Sequence, residues 1–477
     1  MAPTLANTVP PQRATWLRDD HLSFVWTGMV WVLIVLMIVP EGLDYQSLSV
    51  PGAPHSGSVI SRLLWLGLLA LSVAVICWRA SLAWLLLRLL NPYLLLFAGL
   101  AVLSIAWSID PSLSARRLVR IGTIMLVCIA FVLAAWHVRR YQNVVRPILT
   151  VILVGSIGFG LAYPSLAIHQ QSAPELAGAW RGLANHKNGL GGLASIALIL
   201  WFHAGLTREV RLAPALAGSA VAATCLVLSR SSTTVAASAF VMFFLLVSLG
   251  SPRGLRRYMP QLVALLVATV LVYALAILDL VPGLSLLLTP ITALTDKDAT
   301  FTGRTEIWSI LAEHVRQRPL LGSGYGAYWT GGAVPGTESF EFIHRMANFY
   351  PGSAHNGYLE VVNDLGWVGL ACLLGYLLRH VRQSLQLLGT DRHQGTLYLA
   401  LFFQQAVTNI SETHWFSVLS IDFILTTLAT TALARGLVEY RFRAVFGEPL
   451  SLAKLGSGGT PAPAPERSFG RVQRGGA

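Results

Sequence analysis

Charge is what this sequence has least of. Only 12% of its 477 residues are Asp, Glu, Lys or Arg, against roughly 25% in an ordinary soluble domain. With 54% hydrophobic residues as well, most of the surface cannot face water. Lysine is scarcer still, confined to Lys187, Lys297 and Lys454. The net charge of +12 is therefore almost all arginine, the better fork for phosphate. The four cysteines, Cys77, Cys128, Cys225 and Cys372, fall inside apolar runs, which predicts free buried thiols and no disulfide framework. No P-loop and no dinucleotide fingerprint occurs. His186 and His203 have no partner set at metal-ligand spacing. Asp296-Lys-Asp298 has the D-x-D spacing of metal-dependent sugar transferases, but two such carboxylates on a loop are common. No metal site and no cofactor is expected.

What the chain does have is long apolar runs. A helical span needs about 20 such residues. Runs at 24–40, 59–78, 90–107, 118–136, 144–163, 188–206, 211–229, 232–250, 259–280, 357–379, 394–413 and 416–436 meet or approach that length. Arg88, Asn91 and Pro92 interrupt the stretch 83–107. These runs predict an all-α polytopic integral membrane protein with about 12 transmembrane helices, forming one transmembrane domain over 1–450. The Gly-, Pro- and Arg-rich tail, 451–477, reads as disordered. The first run follows a weakly charged leader (Arg13, Arg18, Asp19, Asp20) without a small-residue cleavage site, and reads as a retained span. Many of the Trp and Tyr residues sit at run ends, where amphipathic rings anchor at headgroup level.

Arginine placement orients the spans. With the N-terminus inside, cytoplasmic loops hold Arg79 and Arg88; Arg139, Arg140 and Arg146; Arg208 and Arg211; Arg253, Arg256 and Arg257; Arg379, Arg382 and Arg392; then Arg435, Arg441 and Arg443. Short outside loops hold Glu41, Asp44, Asp110, Glu175 and Glu412. This positive-inside bias explains the basic balance without nucleic acid and puts both termini in the cytoplasm. One outside segment is long, 281–356, between the ninth and tenth spans. Within it Ile307, Ile310, Leu311, His314 and Val315 follow helical spacing and Pro319 ends the run, which predicts an amphipathic helix against the outer face. A Gly-rich turn, Gly322-Ser-Gly-Tyr-Gly, follows.

The exceptions to the bias carry the chemistry. Arg116, Arg117, Arg120, Arg181, Lys187, Arg230, Arg304, Arg316, Arg318 and Arg345 fall outside or at outer span ends. Arg230 lies between two apolar runs with no acidic neighbour in sequence, and a charge at that depth needs a partner. Arg304 falls near a helix start, where free N–H groups already favour an anion. Together they point to an anionic ligand at the outer leaflet. His355 opens the tenth span. Behind it Asn356, Glu360, Asn363 and Asp364 share one helical face, which points to the bundle interior or a wet cavity. A transporter would gather its polar residues at the midplane, on paired broken spans; here they gather at the outer face.

Four short motifs carry a resemblance. His355-Asn356, nine residues, then Gly366-Trp-Val-Gly369 resembles the H-[N/S/Q]-x9-G-x-x-G signature of the O-antigen ligase family. Gly303-Arg-Thr-Glu-Ile-Trp308 and Pro319-Leu-Leu-Gly-Ser-Gly324 look like the G-R-x-x-x-W and P-L-L-G-x-G patterns of the same superfamily. Leu228-Ser-Arg-Ser-Ser232 is similar to its S-R-[S/G] hairpin, and Arg181 to Asn188 to its R-G-x-x-x-[H/N]-x-N element. The resemblance implies a GT-C-like helical glycosyltransferase of the bacterial inner membrane, metal-independent and inverting, with its site facing the periplasm. It implies an undecaprenyl-pyrophosphate-linked O-antigen donor and a lipid A–core oligosaccharide acceptor. On these terms Arg181, Arg230 and Arg304 hold the pyrophosphate, with Lys187 beside them. His355 is the general base, Asn356 positions a neighbouring group, and Glu360 and Asp364 pair with one of the arginines. O-antigen polymerases and ligases with a protein acceptor share most of these motifs, and remain alternatives.

Overall fold

Among the described residues, each apolar run of the sequence lies mostly in helix. The computed structural model describes residues 12–38, 59–137, 139–170, 176–277, 304–330, 342, 351–417 and 420–446. Among them there is no strand, only an isolated bridge between Ile168 and Trp180. In chain order the helices are α1 (Gln12–Ile38), α2 (Val59–Trp78), α3 (Ala80–Leu89), α4 (Pro92–Leu103), α5 (Pro111–Ala134), α6 (Arg140–Ala162), α7 (Pro164–Ala167), α8 (Lys187–Leu206), α9 (Leu212–Leu228), α10 (Ser232–Gly250), α11 (Met259–Ile277), α12 (Arg304–Gln317), α13 (Gly357–Leu388), α14 (Arg392–Thr408) and α15 (Ile421–Phe446). The chain is an all-α polytopic membrane protein.

Among the described residues, seven helices are long and apolar enough to cross a membrane: α2, α5, α6, α8, α10, α13 and α15. The bent pair α3 and α4, which turns through 98°, makes eight if counted as one span. The dozen expected runs thus differ in length rather than place. Phe24–Ile38, Leu212–Leu228 and Met259–Tyr273 are apolar helices of 10–17 residues, and α14 has 17 residues, most of them buried. The bend falls at the interruption seen in the sequence. Asn91 accepts a hydrogen bond from the Tyr93 amide to cap α4, and its own amide donates to the Tyr376 carbonyl.

The bundle is apolar outside and part-polar within. Leu63, Leu66, Trp84, Leu161, Leu216 and Leu378 are exposed, as side chains facing lipid should be. Inside, Gln405 donates to Asp422 at 2.8 Å and Gln383 to the Leu89 carbonyl at 2.7 Å. Interhelical hydrogen bonds of this kind hold helices together where lipid supplies no hydrophobic drive. The expectation of buried thiols holds for Cys128 and Cys225. Cys372 is half-buried and Cys77 exposed, because an apolar run says that a residue avoids water, not that protein covers it.

The expected loop helix forms as α12, and its spaced face is the packed one: Ile307, Ile310, Leu311, His314 and Val315 are all buried. The segment after it locks into α13. Gly366 has φ 64° and ψ −164°, which breaks the helix there. The freed amides of Trp367 and Val368 take the carbonyls of Pro319 and Leu320. In return the amides of Ser323 and Gly324 donate to the Asn363 and Asp364 carbonyls. A Cβ on Gly366 would stand 2.2 Å from the Leu320 carbonyl carbon, and one on Gly322 would stand 2.6 Å from that of Asp364. The glycines of the two sequence motifs are therefore there for each other.

Gly366→Ala meets both a backbone clash and a left-handed φ, the latter alone costing about 1–3 kcal/mol. We expect a sharply lower melting temperature in detergent and little monodisperse protein by size-exclusion chromatography. Wild-type stability in this variant would mean that the interlock does not hold the fold.

Candidate functional site

Five element ends meet at one end of the bundle. The N-termini of α8, α12 and α13 are tied to the α14–α15 connection by direct bonds, and the α9–α10 turn bonds to the loop ahead of α8. Asn356 is fully buried and caps α13, its side-chain oxygen accepting from the amides of Tyr358 and Leu359 at 3.0 Å each. Its amide nitrogen donates to the Ile410 carbonyl at 3.1 Å, and the Gly357 amide donates to the Asn409 carbonyl. Asn409 then turns the chain, its side-chain oxygen accepting from the amides of His414 and Trp415. These bonds place Glu412 opposite His355.

Glu412 is the hub. Its Oε1 accepts from Arg304 Nη2 at 2.7 Å and from Asn188 Nδ2 at 2.5 Å. Its Oε2 lies 3.6 Å from His355 Nδ1. Burial works against this charge, but the neighbouring His355, Arg304 and His414 outweigh it and hold the carboxyl at about 2. Beside it, the half-buried His186 caps α8, its Nδ1 accepting from the Asn188 amide at 3.3 Å. His169 packs edge-on to His186 with ring centroids 5.1 Å apart, and its Nε2 accepts from the Lys187 amide. The cluster sets cations and imidazoles around one carboxylate, at the N-terminal ends of three helices where an anion is favoured.

Of the residues singled out in the sequence, Arg304, His355, Asn356 and Lys187 come together here. Arg181 and Arg230 frame the cluster rather than enter the same contact. Arg181 is buried and its Nε donates to the Leu166 carbonyl at 2.7 Å; Arg230 is exposed and its Nη1 donates to the Ala177 carbonyl at 2.8 Å. Both therefore grip the loop that carries His169. His355 and Arg230 also share a backbone feature, left-handed φ values of 48° and 49°. Such strain in non-glycine residues persists where the surroundings impose it, often at functional sites. Glu360 and Asp364 do not pair with Arg181, Arg230 or Arg304; they line one cavity with Arg117. Asp296, Lys297, Asp298 and Arg345 lie outside the described residues.

Sequence reasoning counted Glu412 only as an outside acid. It lies more than a hundred residues from Arg304, so no spacing rule joins them. The signal available was the excess of outside arginines, which requires an acid on the same face.

The fold and this cluster define a class: a helical multi-pass membrane protein with a charged, histidine-bearing site at one end of its bundle. Residues 217–374 match the family described as O-antigen ligase. The match takes in Arg230, Arg304, His355 and Asn356, and leaves Arg181, Lys187 and Glu412 outside. The chain is also 29% identical over 333 residues to the exopolysaccharide production protein ExoQ of Rhizobium meliloti (strain 1021), covering 67% of this chain and 72% of that protein. The protein is a membrane enzyme of the O-antigen ligase and polymerase type.

Glu412→Gln keeps the shape and removes the charge. Because the folded carboxyl titrates at about 2 instead of the ordinary 4.5, its stabilisation is complete above about pH 4.5 and is lost as the pH falls toward 2. Melting curves in detergent should show wild type above the variant at neutral pH and the two converging near pH 2. A gap that persists at pH 2 would mean that Glu412 stabilises by something other than its charge.

Proposed function

We propose that the protein is an O-antigen ligase. It transfers O-antigen polysaccharide from undecaprenyl pyrophosphate to a sugar of the lipid A–core oligosaccharide, as a metal-independent inverting glycosyltransferase. The site faces the periplasm from the inner membrane, and both termini are cytoplasmic. The observation that carries this reading is Glu412 holding Arg304 and His355 in one cluster. A planar guanidinium beside a helix N-terminus suits a pyrophosphate leaving group. A histidine whose Nδ1 faces a carboxylate is held in the tautomer that leaves Nε2 basic.

In the step this implies, the acceptor hydroxyl loses its proton to His355 Nε2 as its oxygen attacks the anomeric carbon. The bond from that carbon to the pyrophosphate oxygen breaks, and undecaprenyl pyrophosphate leaves with the electron pair. Attack opposite the leaving group inverts the anomeric centre. Arg304 stabilises the growing charge on the pyrophosphate, as fixed donors do in a site that excludes water. Arg230, Arg181 and Lys187 add to the positive rim.

A second reading has its own support. The relative named for exopolysaccharide production favours a polymerase, in which the acceptor is another lipid-linked repeat. The two part in a deletion strain. A ligase leaves polymer on the lipid carrier and bare lipid A–core; a polymerase leaves single repeats.

Purified protein with both substrates in excess EDTA tests the mechanism. His355→Ala should slow transfer by roughly 10²–10⁴-fold while still binding the lipid-linked donor. Arg304→Ala should instead weaken donor binding, by about 1.5–3 kcal/mol, with partial recovery in Arg304→Lys. Near-normal turnover of His355→Ala would remove it from the base role.

Topology is tested separately. Reporter fusions at about residue 330 and at the C-terminus should report periplasm and cytoplasm respectively, as the arginine bias requires. The same signal from both would reject the orientation.

A further inference from the structure

The carboxyl face of α13 closes on a second chamber beside the His355–Glu412 pair. It is a cavity of about 250 Å³, with Arg117, Trp329, Glu360, Asp364, Thr413 and Trp415 in its wall. Thr413 follows Glu412 in the chain, and the wall residue Ser353 lies two before His355. The chamber therefore opens from the same turns that carry the charged cluster.

Most of its polar groups are committed to backbone. Arg117 donates to the carbonyls of Gly326 and Trp329. Glu360 Oε2 accepts from the Ala354 amide at 2.6 Å, and Asp364 Oδ2 accepts from the Gly326 amide at 2.9 Å. Among the described wall residues three atoms are not committed, one of them the Trp415 indole nitrogen Nε1. Asp364 Oδ1 and Thr413 Oγ1 are buried without a hydrogen-bond partner, and Asp364 is only 7% exposed. A buried polar atom left unsatisfied costs more than an ordinary hydrogen bond returns, so a native structure that gathers several in one chamber implies a guest.

The wall says what guest. Two carboxyl groups stand against one guanidinium whose outer nitrogens are already engaged, so phosphate or carboxylate ligands are disfavoured. A carboxylate oxygen accepts from hydroxyls, and flat indoles such as Trp329 and Trp415 offer apolar faces to a ring. The volume suits one ring rather than several. We propose that this chamber binds one neutral sugar residue of the acceptor glycan, with Asp364 Oδ1 and Thr413 Oγ1 taking its hydroxyls. The proposal rests on the transferase reading, and the acceptor is favoured over the donor because the donor's reactive sugar is tethered to pyrophosphate, which belongs at Arg304.

The test uses the full chain in detergent and the neutral trisaccharide cellotriose, read by saturation-transfer NMR. Asp364→Asn can keep the Gly326 bond through its amide oxygen while turning the free acceptor atom into a donor. Thr413→Val removes the hydroxyl at nearly constant shape, and stands in if Asp364→Asn does not fold. Each should weaken cellotriose binding about tenfold or more, the loss of a bond at a charged or buried partner. His355→Ala should bind it as wild type does. In transfer assays the same two variants should raise KM for the acceptor and leave kcat and the donor KM unchanged. No signal from the wild type, or equal signals from wild type and both variants, overturns the proposal. A rise in donor KM instead assigns the chamber to the donor glycan and also overturns it. If His355→Ala transfers normally, the proposed mechanism fails while the cellotriose result still judges the chamber by itself.

Discussion

The break in α13 at Gly366 is the constraint on which the site depends. A helix interrupted in mid-course leaves amides and carbonyls that must be satisfied where no water reaches. The segment 319–324 satisfies them, two bonds in each direction. That exchange fixes the depth and rotation of the nine residues before the break, which carry Glu360, Asn363 and Asp364. It also fixes the strand of chain that continues through Tyr325 to Trp329, itself tied by Arg117 and by Ser114 to α5. With the α13 N-terminus held, Asn356 can cap it and reach Ile410, and the α14–α15 connection is drawn over the top.

Polar atoms inside an apolar bundle are thereby sorted into two kinds. Those at Asn91, Asn356, Asn409, Gln383 and Gln405 close backbone or interhelical gaps, and their hydrogen-bond capacity is largely used up. Those around Glu412 are arranged by charge, with a carboxylate shared between a guanidinium, an amide and an imidazole. The first kind builds the frame within which the second can be held at a few tenths of an ångström. Paired in this way, the ionisable groups tolerate a low-polarity setting that would neutralise any one of them alone.

The legible part of this architecture was what local periodicity encodes. The apolar runs gave the helices, Asn91-Pro92 gave the bend, and Ile307 to Val315 gave the packed face of α12. Arg304 at a helix start and His355 at another were visible for the same reason. The glycines at 322 and 366 stood out as motif letters, but nothing in their spacing said that the two segments interlock. Pairings across a hundred residues or more, Arg304 with Glu412 and Arg117 with the chamber of Glu360 and Asp364, have no periodic signature. They depend on how helices cross, which one sequence does not display. Hydropathy reports avoidance of water and not helix length, so runs such as Leu212–Leu228 are apolar but short.

Glu412 has a consequence for what the site ignores. In the proposed orientation, the outer leaflet surrounds such a site with phosphodiester headgroups at concentrations no rare lipid carrier can match. An uncovered arginine cluster would hold those headgroups much of the time. With Glu412 already between Arg304 and His355, the resting cluster has little net field to offer a singly charged phosphodiester. A pyrophosphate, with more charge and two phosphates to span neighbouring donors, gains more from the same groups. On the proposed transferase reading, the built-in carboxylate works as a threshold that favours a scarce pyrophosphate carrier over abundant monoanionic lipid.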